Sequence, residues 1–334
     1  MSTLTSTVLN LADWAKRVAP DGSIDSVVEI LNQKNGIIED IPWKEGNLPT
    51  GERVTIRTGL PTVAWRLING ATTPSKSTTA QATVNAGMLE AWSEIDKDLV
   101  ELNGNSAAFI LSESKAFVEA MRQEFAQTAF YGNTGTYPEE FLGFDVQFNS
   151  TSATSGENVI LGGGAGSDNM SIWLVGWGEN TVYGVFPKGS KAGLVQENLG
   201  LQTVTGSAGI GGTRMRAYQQ HYQWKCGLVV KDWEYVARVC NIDNSDLIAN
   251  SGSESDLLFY MSKAYHRIPD MSTCKPVWYM NRTAFEFLDI QARSEVKGGG
   301  GLNYSNVGGE VIRSFRGIPI KVVDQLTIAE STKS

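Results

Sequence analysis

Residues 43–87 place the tightest limit on how this chain can fold. In LPTGERVTIRTGLPTVAWRLINGATTPSKSTTAQATVNAG, residues 48–87, β-branched and apolar side chains alternate at Val54 and Ile56 and again at Val63, Trp65 and Leu67. A polar run of Thr, Ser, Lys and Ala follows. A period of two is the mark of a strand, so the stretch predicts a long two-stranded excursion with a soft middle. An isolated hairpin is marginal in water, and its open edges invite pairing with another chain. A projecting hairpin of this length therefore implies a partner that covers it.

The chain on either side supplies a body. Before the excursion, Val8, Leu11, Ala12, Ala15 and Val18 recur at helical spacing, and SIDSVVEILNQKNG repeats the form with Asp25 as cap and Gly36 as stop, which predicts short helices on an N-terminal arm. After it, LSESKAFVEAMRQEFAQTAFYGN carries Phe117, Met121, Phe125 and Ala129 at successive i+4 positions and predicts the longest helix, ended by Gly132. Ser112 reads as the N-cap of that helix. Residues 149–170 read as a low-complexity loop, SIWLVGWGENTVYGVF as a β-hairpin, and AYQQHYQWKCGLVVKDWEYVARVCNI as a half-buried strand pair with Tyr218, Gln220, Tyr222, Trp224 and Cys226 on one face. A helix around Leu257–Tyr265, the strand KPVWYM, and a helix capped by Asn281 make an α+β lobe. A glycine loop and a closing strand, SFRGIPIKVVDQL, complete the chain.

Composition narrows the function. The chain has 36 acidic and 28 basic residues, a net charge of −8, and no dense basic block. A nucleic-acid binder takes most of its affinity from neutralised phosphates, so this surface repels DNA on average. The three cysteines, Cys226, Cys240 and Cys274, form no CxxC spacing and read as reduced thiols. The N-terminus lacks a basic region followed by an apolar run, and no run approaches membrane-spanning length, so a soluble protein made in a reducing cytoplasm is expected.

Chemical motifs resolve into simpler readings. Ser112-Glu-Ser-Lys115 and Ser167-Asp168-Asn169 match two of the three signatures of penicillin-recognising serine enzymes, but the Lys-Thr-Gly triplet is absent. The glycine clusters at 162–166, 209–212 and 298–301 lack the offsets of a phosphate cradle. His221 and His266 stand in no zinc spacing, and Asp243–Asp246 lacks the glycine and distal glutamate of a calcium loop. Nine tryptophans raise a β-rich carbohydrate-binding or adhesin reading, yet their strand positions favour core packing. No cofactor and no catalytic constellation is expected.

The order of parts resembles the major capsid proteins of tailed bacteriophages with the Hong Kong 97-type fold, and within them the short-tailed epsilon15-like phages. FYGNTGTYPEEFLGF, residues 130–144, is similar to the family's turn and plug after the spine helix. SIWLVGWGENTVYGVFPKGSKAGL, WEYVARVCNID and VWYMNRTAFEFLDIQAR resemble its strands and the helix of its axial lobe. The resemblance implies an N-terminal arm at 1–42 and an E-loop at 43–87. It implies a peripheral domain at 88–150 and 311–326 with a spine helix at 112–131, and an axial domain at 236–310. Residues 151–235 depart from the shortest members as an added β-rich region, on either domain.

What the resemblance implies about function is assembly. Subunits would pack head to tail into hexamers and pentamers of an icosahedral shell that encloses double-stranded DNA without sequence-specific binding or a membrane. Decoration, scaffolding and portal proteins are the further partners it implies, with assembly in the host bacterial cytoplasm and residence in the virion capsid. The residues it places against neighbouring subunits are Arg53, Arg57, Trp65, Arg66 and Lys76 of the E-loop and Gly298, Gly299, Gly300 and Gly301 near the capsomer axis. Some members cross-link lysine to asparagine, and Lys76 lies in the matching region; an ordinary exposed lysine is the simpler reading.

Overall fold

The computed structural model describes residues 33–102, 106–205, 214–249, 256–294, 303–307 and 310–334. These group into two compact units, one built on residues 88–125 and 193–225, the other on 34–87, 126–192 and 226–334. The expected helices before residue 33 and the glycine clusters at 209–212 and 298–301 lie outside the described residues.

In the first unit, β4 (Gly87–Asp96) leads through a one-turn helix capped by Asp96 into the long helix α1 (Ser106–Tyr131). The helix begins six residues before Ser112, so Ser112 is an interior residue and not its cap. Strands β8 (Leu194–Thr205) and β9 (Arg214–Val230) pair antiparallel from Leu194↔Trp224 to Thr205↔Arg214. The alternation read in β9 is realised: Gln220, Tyr222 and Trp224 are buried, while their neighbours are only half-buried. That face meets α1 at three successive levels. The hydroxyl of Tyr222 donates to Ser114 Oγ at 2.8 Å, Phe117 stacks on Tyr222 at 5.5 Å, and Phe125 stacks on Trp224 at 4.6 Å. Ile95, Leu99, Val100 and Phe109 close the other end of this core.

The second unit is organised on β6 (Asn169–Trp177), buried along its whole length as a central strand must be. β6 pairs antiparallel with β10 (Val236–Asp243) on one side and β11 (Lys275–Met280) on the other. β5 (Val159–Leu161) extends the sheet beyond β10; β14 (Ile318–Val322), β13 (Glu310–Phe315) and β12 (Asn303–Val307) extend it beyond β11. Alternate residues of β6 feed two cores. Ile172 and Leu174 face α2 (Leu257–Tyr265) and α3 (Arg282–Ser294) with Met261, Ala264, Trp278 and Leu288. Trp173 and Trp177 face an aromatic cluster with Phe130, Phe144, Phe148 and Tyr279. Asn281 caps α3 as expected, its Oδ1 accepting from the Thr283 amide at 2.9 Å.

Several local expectations are corrected. β6 and β7 (Val182–Phe186) are not a hairpin: they share one parallel bridge, while β7 pairs with β1 (Trp43–Glu45) and with the last residues of β9. β9 and β10 do not pair with each other. The segment 149–170 holds a 3₁₀ turn and β5, and is not all loop. The closing segment is two strands, reversed at Arg316 and Gly317, both at positive φ as a tight hairpin turn demands.

The corner after α1 explains its sequence. The Gly132 amide donates to Thr128 O and the Gly143 amide to Gly132 O, at 2.8 and 2.9 Å. A Cβ on Gly132 would lie 2.4 Å from Phe141 O, so only glycine allows the chain to recross there. Phe144 and Phe148 then plug the aromatic core.

Candidate assembly surface

The excursion is an antiparallel pair, β2 (Gly51–Gly59) with β3 (Thr78–Asn85), in register from Gly51↔Asn85 to Gly59↔Thr78. Its root is fixed. Val54, Ile56 and Val84 pack on Tyr183, Val185 and Val229, and Asn47 brackets the backbone of Arg53 with two 2.8 Å hydrogen bonds. Glu52 is buried beside Lys44 at 3.6 Å. Burial, with the adjacent Glu52 carboxylate, pushes the Tyr183 hydroxyl well above the ordinary phenol range.

Beyond the root the arm loses its support. Leu60, Val63, Trp65, Leu67 and Ile68 are 80–105% exposed. Among the described residues the tip is held only by local bonds: a turn closed by the Gly70 amide on Leu67 O, with Asn69 at positive φ, and Ser75 Oγ donating to Thr62 O. Five large apolar side chains within nine residues exceed what scattered surface hydrophobics explain and mark an interaction surface. Of the residues expected at subunit contacts, Arg53, Arg57, Trp65, Arg66 and Lys76 are all on this arm and all exposed. Arg53 Nε reaches Thr83 Oγ1 at 3.4 Å and Arg66 Nη1 reaches Gly70 O at 3.4 Å. Lys76 has no hydrogen bond or ion pair among the described residues.

Two buried polar clusters brace the second unit, and sequence reasoning named neither. Arg238, fully buried in β10, pairs with Asp145 at 2.7 Å and Glu330 at 2.8 Å, donates to Phe148 O and Ser171 Oγ, and lies 4.6 Å over the Trp173 ring. Burial opposes its charge, but the Glu330 and Asp145 carboxylates hold its pKa above the ordinary value. Tyr131 at the end of α1 also donates to Glu330, at 2.7 Å, and Lys333 pairs with Asp145 at 2.9 Å. The last residues of the chain are thus clasped to the sheet. Asp40 forms the second cluster: it accepts from Tyr279, Lys275 and Lys321 at 2.8, 3.3 and 3.0 Å. The signal for the first was an arginine inside an apolar strand run, VARVCNI, which is tolerable only with buried carboxylates opposite it.

The surface offers little to the enzymatic or sugar-binding readings. Ser112 and Lys115 lie within α1, and Asn169 is buried with its amide on Gly166 O at 2.7 Å. Trp173, Trp177 and Trp224 are buried in cores and cannot act as stacking platforms. Among the described residues no cluster of three His, Cys, Asp or Glu side chains could hold a metal.

The whole chain is similar in structure to bacteriophage epsilon15, solved by electron cryomicroscopy, with 31% identity, a TM-score of 0.79, and 100% of this chain and 99% of that chain covered. The fold is therefore the α+β Hong Kong 97-type fold, that of a capsid-shell subunit. A family model described as major capsid protein GP7 matches residues 19–333, and the chain belongs to that family. Weaker likenesses run to the bacteriophage JBD30 capsid (10% identity, TM-score 0.44, 97% of each chain) and the SrpI encapsulin of Synechococcus elongatus PCC 7942 (11%, 0.44, 70% of this chain and 97% of that one). No curated protein sequence matches the chain. As a capsid protein of a bacteriophage virion, it works by homo-oligomeric assembly.

Proposed function

We propose that the protein closes into hexamers and pentamers through its arm, residues 43–87, each copy laying Trp65 and the flanking apolar residues over the next. Arg53, Arg57, Arg66 and Lys76 rim that contact as charged side chains. In this reading α1 is the spine of the peripheral domain (88–150 and 311–326), residues 236–310 are the axial domain, and Gly298–Gly301 lie near the capsomer axis. Residues 193–225 group with 88–125, which supports attaching that part of the added β-rich region to the spine. The shell encloses double-stranded DNA on an acidic wall that does not hold it. Assembly takes place in the host cytoplasm, with decoration, scaffolding and portal proteins as accessory partners. The role is structural, without turnover.

The observation that carries this reading is the apolar arm, rooted at one end and uncovered at the other. Burying five such side chains is worth roughly 8–15 kcal/mol gross, and association costs roughly 4–15 kcal/mol. A single arm contact therefore about breaks even. A closed ring, in which each copy both gives and receives an arm, is what makes it stable. Purified protein should sediment as a megadalton shell. Trp65→Ser with Leu67→Ser should leave the unfolding midpoint of the free subunit unchanged, because these side chains are 105% and 84% exposed, and should reduce the assembled fraction severalfold. Unchanged shell yield in that variant would remove the arm from the mechanism.

A further inference from the structure

One cleft of the second unit carries positive charge that no described residue neutralises. It is about 710 Å³ in volume, and its lining includes Ile160 and Leu161 of β5 and Phe259 as an apolar floor together with Lys263, Arg267 and Arg316. Among the described residues no carboxylate pairs with any of the three cations. Aromatic rings hold two of them instead: Lys263 Nζ is 4.1 Å from the Phe259 ring centre, and Arg316 lies 5.0 Å over Tyr265 with Nη1 2.9 Å from His266 Nε2. In a chain with eight more acids than bases this is a local reversal of sign. Leu161 and Phe259 are both more than 40% exposed, so the cleft presents apolar surface together with its cations.

That combination selects the occupant. The cleft is far larger than a bare phosphate, and a duplex backbone gains nothing from an apolar floor. An acidic segment with an aromatic side chain matches both features. The corner after α1 presents one: Tyr137, Pro138 and Glu139 are all exposed, Tyr137 by 54%. The corner is also preformed, because the amides of Thr136 and Tyr137 donate to Asn133 O, the Glu140 amide to Tyr137 O, and Asn133 Oδ1 accepts from Gly135. Docking it would cost little ordering entropy. Within one copy the corner does not line the cleft, so it must come from another.

We infer that the cleft between β5, α2 and the β13–β14 turn receives the Tyr137-Pro138-Glu139 corner of a second copy, Tyr137 on the apolar floor and Glu139 among Lys263, Arg267 and Arg316. The contact joins two different patches of the same chain and is therefore heterologous, the kind that propagates into rings. It adds a charge-steered register to the arm contact, and it rests on the shell-forming reading.

Charge exchange tests it, with assembled fraction measured by sedimentation against subunit concentration. Lys263→Glu with Arg267→Glu should raise the concentration needed for assembly about tenfold or more, since like charges would face each other across the contact. Glu139→Lys should do the same. All three residues are exposed, so circular dichroism of each variant should match the parent. Combining the three substitutions should restore assembly to within a fewfold of the parent. Restored assembly supports the contact; absence of any effect, or of restoration in the combined variant, overturns it. Normal shells with less packaged DNA would overturn it too, by assigning the cleft to phosphate, and so would normal shells that lose only a second bound protein. If the parent protein forms no shell, the failure lies with the shell-forming reading itself.

Discussion

Arg238 carries its charge where there is no exposed surface, and only the carboxylates of Glu330 and Asp145 make that tolerable. A buried pair adds little over a well-packed apolar substitute, but removing one partner strands the other. Arg238→Met should therefore lower stability by about 3–5 kcal/mol, read as a fall in the calorimetric unfolding midpoint. Adding Glu330→Gln should recover part of the loss, because one of the two carboxylates that lose Arg238 is then neutral, while Asp145 keeps Lys333. The thiols give a second residue-level test. Burial pushes Cys226 up to about 12 and Cys240 up to about 11. Both folded values exceed the unfolded one, so the stabilisation they report is complete below about pH 8.5 and is lost as pH rises toward 11–12. The unfolding midpoint should be flat to about pH 8.5 and then decline, less steeply in Cys226→Ala. A native protein that reacts with a thiol reagent at Cys226 as fast as a free thiol would contradict the buried placement.

Among the elements, the corner after α1 is the most sharply determined. A methyl on Gly132 meets two backbone carbonyl oxygens, Phe141 O at 2.4 Å and Thr128 O at 2.6 Å, neither of which can rotate away. Gly132→Ala should cost about 1–3 kcal/mol, measured by denaturant unfolding, and should loosen the Phe144 plug. This corner, α1 and the arm were legible in the sequence because each is local: glycine stops, an i+4 apolar row, and alternation between turns. The sheet was not. Trp177 and Val182 are five residues apart, and a short Gly-Glu-Asn link suggested a hairpin between their strands. Instead β6 takes partners some 60 and 100 residues away, β10 and β11, and β7 takes the end of β9. Long-range pairing is decided by which faces can be buried together, and local turn chemistry does not encode it. The arginine clasp was hidden for the same reason: VARVCNI announces a buried cation, but its partners lie about 90 residues away on both sides. The five arm residues named from the sequence are exposed, as an assembly surface requires, while the cationic cleft draws β5, α2 and a turn together from across about 160 residues of sequence.

For the whole molecule, assembly sets a long-range repulsion against short-range contacts, and salt separates them. Each copy carries a net charge of −8, and neighbouring copies in a shell repel through solvent over distances comparable to the Debye length, about 10 Å at 0.1 M ionic strength and about 3 Å at 1 M. The arm contact proposed above is apolar and indifferent to screening at these concentrations. The inferred ion pair in the cleft lies at contact distance and is partly desolvated, so it is screened much less than the field between whole bodies. The repulsion should therefore be lost first, and the concentration needed for shell formation should fall as salt rises from 0.05 to about 0.5 M. Light scattering during a salt titration would follow it. A shell held mainly by exposed ion pairs at the arm's rim would behave in the opposite way and dissolve as salt rises. The arginines and Lys76 would then be the adhesive, and Trp65 only filler. With five apolar side chains uncovered on the arm and exposed ion pairs each worth under about 1 kcal/mol, the balance of magnitudes favours assembly that strengthens with salt.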